Sequence, residues 1–247
     1  MKIFYKYFFI MFFIAACFLS AHVSYAGWGD FLKSIQKTLG GTEGGLSQNK
    51  ISMGLKEALE LGARNAVEKV SILDGYYANP EIRIPLPDSV LKVEKVVRAF
   101  GYGSQVDRFE ESMNRAAENA APAARDLFWE AIKGMTFDDA ARILKGRDNE
   151  ATIYLKDKTW DKLLDTFKPM VHQAMGSVGV TREYQELESK INSLPFGESL
   201  GLINIDQYVS EKALDGLFLM LEKEEQKIRS DPAARVTDLL KEVFGGN

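Results

Sequence analysis

Apolar residues recur at helical spacing through most of the chain from residue 47 onward, and this periodicity limits the fold more than any other feature. In the first such segment apolar residues repeat every four positions, at Ile51, Leu55, Leu59, Ala63 and Val67. Such a stripe is typical of an amphipathic helix that buries one face. The sequence therefore predicts an all-α fold, with a single multi-helix domain over residues 47–247.

One segment breaks the helical pattern. Residues 74–80 have the composition of a turn, and residues 82–87 alternate like a short extended segment whose prolines exclude a central strand. We expect one short Pro-rich irregular or extended crossover here. Asp88 or Ser89 can then cap a helix that continues to about Phe100.

Two further signals concern later helices. Thr136 and Asp139 have the spacing of a capping box. Residues 214 and 217–221 are apolar and surround most of a helix, which predicts a position at the centre of the core.

The first 26 residues have the pattern of a signal peptide. Lys2 and Lys6 precede an apolar run over residues 7–18, and Ser24-Tyr25-Ala26 forms a small-x-small cleavage site. The run is too short for a transmembrane helix, so we expect none in the mature chain. This pattern predicts export to the periplasm.

A second interpretation changes the anchoring. Residues 14–17, Ile-Ala-Ala-Cys, resemble a lipobox, in which Cys17 would be lipidated and hold the protein at the membrane. Membrane contact is expected only in that case. Residues 27–46 form an amphipathic leader and Gly-rich linker, which would either contact a membrane or partner or dock on its own domain.

The composition excludes several kinds of chemistry. Cleavage after Ala26 removes two lysines and no acid, which changes the net charge from −4 to −6 and argues against a nucleic-acid partner. The remaining chain has no cysteine, and His172 is its single histidine. Disulfides, thiol nucleophiles and histidine clusters are thus excluded. The chain also lacks a nucleophile elbow and a phosphate loop, so we expect no cofactor and no classical enzyme.

The best candidate site lies on a helix over residues 105–121. Its acidic residues share about a third of the helical wheel with Asn114, and these are Asp107, Glu110, Glu111 and Glu118. Carboxylate and amide oxygens suit calcium or magnesium, so one interpretation is a metal site with a divalent cation. The other is a solvated face with Glu111 and Arg115 as an i,i+4 pair.

The second candidate is the crossover together with the turn before it, residues 76–87. Tyrosines, Arg83 and prolines in a non-helical segment are typical of a rigid recognition loop, although a packed connection would need the same prolines. Residues 100–103 add Tyr102 beside flexible glycines. The predicted ligand-binding residues are Arg83, Tyr102, Asn114 and Arg115.

Five segments together resemble a known bacterial family. They cover residues 79–87, 109–118, 136–144, 178–184 and 212–235, in the order and spacing of domain-of-unknown-function family 4197. The resemblance spans roughly residues 47 to 245. It implies an exported helical domain and brings no activity or catalytic residue.

These observations favour a non-enzymatic binding or interaction protein of the cell envelope. Its partner would be an envelope protein or a small ligand that contacts the loop around Arg83 and the polar face around Asn114. The alternative is a metal-dependent hydrolase that uses the carboxylates of the 105–121 helix.

Overall fold

The computed structural model describes residues 48–92, 94–178 and 204–231, together with the single positions 186, 189 and 237. Within these residues the secondary structure is helical without strands, which confirms the all-α prediction. The signal peptide, Cys17 and the 27–46 leader lie outside the described residues. None of the described helices is long and apolar enough to cross a membrane.

Eight α-helices have bounds within the described residues, and we number them in chain order. They are α1 (Gln48–Val70), α2 (Asp88–Leu91), α3 (Glu94–Val97), α4 (Gly103–Ala120), α5 (Ala124–Lys133), α6 (Phe137–Lys145), α7 (Glu150–Val178) and α8 (Ile205–Ser230). A π-helical segment, Arg98–Tyr102, joins α3 to α4, and a 3-10 turn, Ala121–Ala123, joins α4 to α5. Residues 83–87 have no regular structure, as expected for the crossover.

Helix α8 lies at the centre of the described fold. It packs against α1, α4 and α7, and α7 in turn packs against α4 and α5. Phe218 of α8 contacts Phe128 of α5 edge-on, with ring centroids 5.6 Å apart. The apolar residues within 214–221 thus predicted the position of this helix correctly, because three other helices pack against it.

The prediction of one continuous helix from residue 88 to about 100 is wrong. The chain instead forms two single turns, α2 and α3, followed by the π-helical segment. Gly101 within that segment has φ 88°, which no regular right-handed helix accommodates. The residue that precedes α2 as its N-cap is Pro87, and Asp88 lies in the first turn.

Side chains hold several helix ends in place. The capping box at the start of α6 is confirmed, since the Thr136 hydroxyl accepts the N–H of Asp139 and the Asp139 carboxylate accepts the N–H of Thr136. At the start of α7 the buried carboxylate of Glu225 accepts the backbone N–H groups of Ala151 and Thr152. This second cap comes from α8, far away in sequence, and it fixes α7 on α8.

Candidate functional site

The polar face of α4 packs under the crossover, and Asn114 is its central contact. The Asn114 side-chain oxygen accepts the Ile84 N–H at 2.8 Å, and its nitrogen donates to the Ile84 carbonyl at 2.9 Å. The same nitrogen donates to the Glu110 carbonyl. Asn114 and Ile84 are both fully buried. Asn114 therefore makes the two backbone hydrogen bonds to Ile84 that a neighbouring β-strand would make.

Glu118 holds the other end of the crossover. One of its oxygens accepts the backbone N–H groups of Tyr76 and Tyr77, at 3.1 and 3.2 Å. The other accepts Arg115 Nη1 at 2.9 Å. Glu118 is 3% exposed, so this carboxylate is buried with its charge compensated and both oxygens occupied.

Tyr76 fixes the same loop to the central helix. Its hydroxyl donates to the Ala213 carbonyl at 2.7 Å, and its ring lies where Gly216 leaves no side chain. Burial, and then the charge of Glu118, raises the pKa of the Tyr76 hydroxyl, so it remains a donor at every physiological pH. Tyr208 of α8 adds a hydrogen bond to the Pro85 carbonyl at 3.0 Å.

Two arginines lie against the ring of Tyr77 on the outer side of the loop. The guanidinium carbon of Arg83 is 4.4 Å from the ring centroid and that of Arg115 is 5.3 Å away, both within cation–π range. Arg83 Nε also pairs with Glu110 at 3.0 Å. Arg115 Nη2 pairs with Asp74 at 2.8 Å and with Glu111 at 3.2 Å.

The charge of Arg115 is strongly held. Burial alone would lower the pKa of Arg115, but its hydrogen bonds to Glu118 and Asp74 outweigh that effect and raise the pKa above its ordinary value. The predicted Glu111–Arg115 pair is present as one of three contacts. Arg115 thus acts as a fixed positive charge between the turn after α1 and helix α4.

The remaining predicted site residues lie toward the start of α4. Asp107 pairs with Arg98 Nη2 at 2.7 Å, and Tyr102 is the partly buried residue just before the helix. Hydrogen bonds to Asp107 and Glu94 raise the pKa of Arg98. The four carboxylates proposed as metal ligands therefore face three different arginines.

The described residues contain no group of three or more His, Cys, Asp or Glu side chains close enough to hold a metal ion. A metal site would have to draw Asp107, Glu110, Glu111 and Glu118 away from their arginines. The metal-site interpretation stays a prediction, and the arrangement of these side chains favours support of the loop.

Tyr77 lies in the loop that the sequence marked as a candidate, whereas Asp74 and Tyr208 were not predicted as parts of this site. Tyr77 and Asp74 belong to the turn that the sequence did mark as unusual. Tyr208 had no such signal, because its role depends on α8 lying beside the crossover. Burial, followed by the charges of Asp88 and Glu110, raises the pKa of Tyr208 to about 12, so this hydroxyl also remains protonated.

A concavity lies between α1 and α5, away from the crossover. It has a volume of about 480 Å³, and its lining includes Trp129, Arg64, Arg125 and Glu60. Burial, and then the charge of Glu57, raises the pKa of Glu60. Its walls carry both signs of charge, so they specify no single class of ligand.

The crossover thus has a buried underside with its polar groups paired and an outer surface that carries a stacked arginine. Comparison with known proteins gives no activity for it, because no curated protein and no solved structure matches the chain. One family model, described as a protein of unknown function (DUF4197), matches residues 45–245. Since this match covers most of the sequence and agrees with the segments quoted above, the chain belongs to the DUF4197 family.

Proposed function

We propose that the protein is an exported, non-enzymatic binding module that recognises a partner through the crossover surface. We define the crossover surface as the outer parts of Tyr77, Ala78, Arg83 and Glu110. Export is inferred from the signal-peptide pattern of residues 1–26, with lipid anchoring at Cys17 as the alternative form of the same localisation.

The observation that carries the proposal is how the Arg83 side chain is held at the surface. Its side chain is 39% exposed, its Nε is paired with Glu110, and its guanidinium is stacked on Tyr77. Its terminal nitrogens make no hydrogen bond to the described residues. They can therefore donate to an acceptor group of a partner without any rearrangement, and such pre-organisation lowers the entropy cost of binding.

The anchoring of the loop supports the same conclusion. Asn114, Glu118 and Tyr76 fix the crossover from beneath through buried hydrogen bonds. A connection between helices needs far less support than this, whereas a recognition loop on a rigid scaffold needs its backbone held. Asn114 and Glu118 are positioning residues in this proposal, and Arg83 contacts the partner.

Site-specific photocrosslinking tests the proposal. A photoreactive amino acid at the exposed Ala78, next to Tyr77, should give a covalent adduct in intact cells, and Arg83→Gln should abolish it. Exposed ion pairs contribute little to stability, so Arg83→Gln should change the melting temperature only slightly. The matched control is Arg147→Gln, because Arg147 is an exposed arginine that pairs with Glu150 away from the crossover.

Three results would refute parts of the proposal. An adduct that persists in Arg83→Gln would remove Arg83 from the interface. Absence of any adduct at Ala78 would leave the loop as a structural connection. An intact N-terminus, with neither cleavage after Ala26 nor lipid on Cys17 by mass spectrometry, would refute export.

A further inference from the structure

The turn after α1 displays two large apolar side chains to solvent. Ile72 is 62% exposed and Leu73 is 72% exposed, although both lie between buried elements of the fold. We call residues 72–74 the tip. Apolar side chains exposed next to each other are typical of contact sites between proteins.

The backbone holds the tip in this conformation. Asp74 has φ 67°, in the left-handed region that a residue with a side chain seldom adopts, and its carboxylate is held by Arg115. At Gly75 a Cβ would lie 2.6 Å from the Val70 carbonyl oxygen, so only glycine fits there. The exposure of Ile72 and Leu73 is therefore a property of a tightly specified turn.

The rim of the tip is acidic. Arg115 is surrounded by three carboxylates, those of Asp74, Glu111 and Glu118, so this group carries an excess of negative charge. Asp74 and Glu111 are each about half exposed. A matching surface would be apolar with lysines or arginines around it.

The same chain carries such a surface elsewhere. Leu91 is 45% exposed and Phe100 is 64% exposed, and both belong to the irregular 88–102 segment, which also buries Val90 and Val97. Lys92 and Lys95 of the same segment are exposed as well and supply two positive charges. We call Leu91, Lys92, Lys95 and Phe100 the pad.

Tip and pad lie toward opposite ends of α4. The tip is tied to Arg115, and the segment with the pad is tied to Asp107 through Arg98. These two helix positions are about 12 Å apart along the axis at 1.5 Å per residue. A tip and a pad at opposite ends can meet only between different molecules.

We propose that the protein associates with itself head to tail, the tip of one copy packing on the pad of the next. Ile72 and Leu73 would cover Leu91 and Phe100, while Lys92 and Lys95 would face Asp74 and Glu111. The contact joins two different surfaces, so it forms chains or rings. This inference does not require Arg83, although Arg115 connects the tip to Tyr77 of the crossover surface.

The test uses protein purified from cells that express the full chain, analysed by sedimentation velocity over a concentration series. A contact of this size is weak, so we expect a dissociation constant on the order of 100 µM and weaker association at high salt. Leu73→Glu and Phe100→Glu should each give monomers, with melting temperatures close to that of the wild type. The matched control is Met53→Glu, because Met53 is 60% exposed on α1 outside both surfaces and should leave association unchanged.

Mixing the two variants gives the decisive result. Leu73→Glu retains an intact pad and Phe100→Glu retains an intact tip, so their equimolar mixture should form dimers and nothing larger. A mixture that stays monomeric would overturn the head-to-tail contact. So would a wild-type protein that is monomeric up to about 1 mM, or association that survives in both single variants.

Discussion

Replacement of Asn114 by alanine tests how the crossover is held. The substitution leaves the N–H and the carbonyl of Ile84 buried without partners, since Asn114 satisfies both and Ile84 is fully buried. Each buried unsatisfied backbone group costs about 1–3 kcal/mol. With the space that the missing amide leaves, we expect a loss of about 3–5 kcal/mol in the free energy of unfolding.

The assay is thermal and urea unfolding followed by circular dichroism. For a chain of this size the loss corresponds to a fall of about 10 °C in melting temperature. The matched control is Asn119→Ala, an exposed asparagine on the same helix, which should change the free energy of unfolding by less than about 0.5 kcal/mol.

Asn114→Asp makes the prediction sharper. The aspartate keeps an acceptor for the Ile84 N–H, but it can donate to the Ile84 carbonyl only when it is protonated. Its destabilisation should therefore be smaller at acid pH and grow toward neutral pH. If Asn114→Ala unfolds like Asn119→Ala, or if the loss in Asn114→Asp does not depend on pH, the crossover is not held in this way.

Further predictions concern the α6 cap and the contact between α8 and the crossover. Thr136→Ala should lower the free energy of unfolding by about 1 kcal/mol in a urea titration. Hydrogen bonds from the Thr136 hydroxyl and backbone N–H lower the pKa of Asp139, so its contribution is full above its ordinary pKa and is lost as the pH falls through the lowered value. Asp139→Asn should remove that part of the acid dependence, and identical pH profiles would contradict this assignment. Gly216→Ala should destabilise by about 1–3 kcal/mol despite better helix propensity, because its Cβ would lie 2.8 Å from Tyr76 and 3.0 Å from Ile82; a calorimetric melt equal to the wild type would refute it.

The sequence identified the polar residues of α4 but not what packs against them. A wheel places Asn114 and Glu118 among acidic residues, opposite the apolar stripe, and from this pattern we expected a ligand or a metal. In the structure both are buried, because the crossover lies over that face. A hydrophobic period locates only the apolar side of a helix, whereas a loop whose backbone lacks partners can cover the polar side equally well.

Arg83 illustrates the opposite case. Its position in a loop of prolines and tyrosines marked it as a surface residue, and the structure places it on the outer side of the crossover. Its stacking on Tyr77 could not be predicted, because Asn79 sets the direction of the chain between them. Asn79 accepts the N–H groups of Ile82 and Arg83 at its carbonyl and that of Glu81 at its side chain.

The sequence by itself determined the all-α class, the central position of α8, the capping box at Thr136 and the place of the crossover. These features depend on periodicity and short-range chemistry, which a chain carries in its local order. Only the tertiary structure decided that Glu118 binds Tyr76 and Tyr77 and that Glu225 caps α7. Those outcomes depend on contacts between residues far apart in sequence, where a buried polar group takes whichever partner the packing of the helices brings to it.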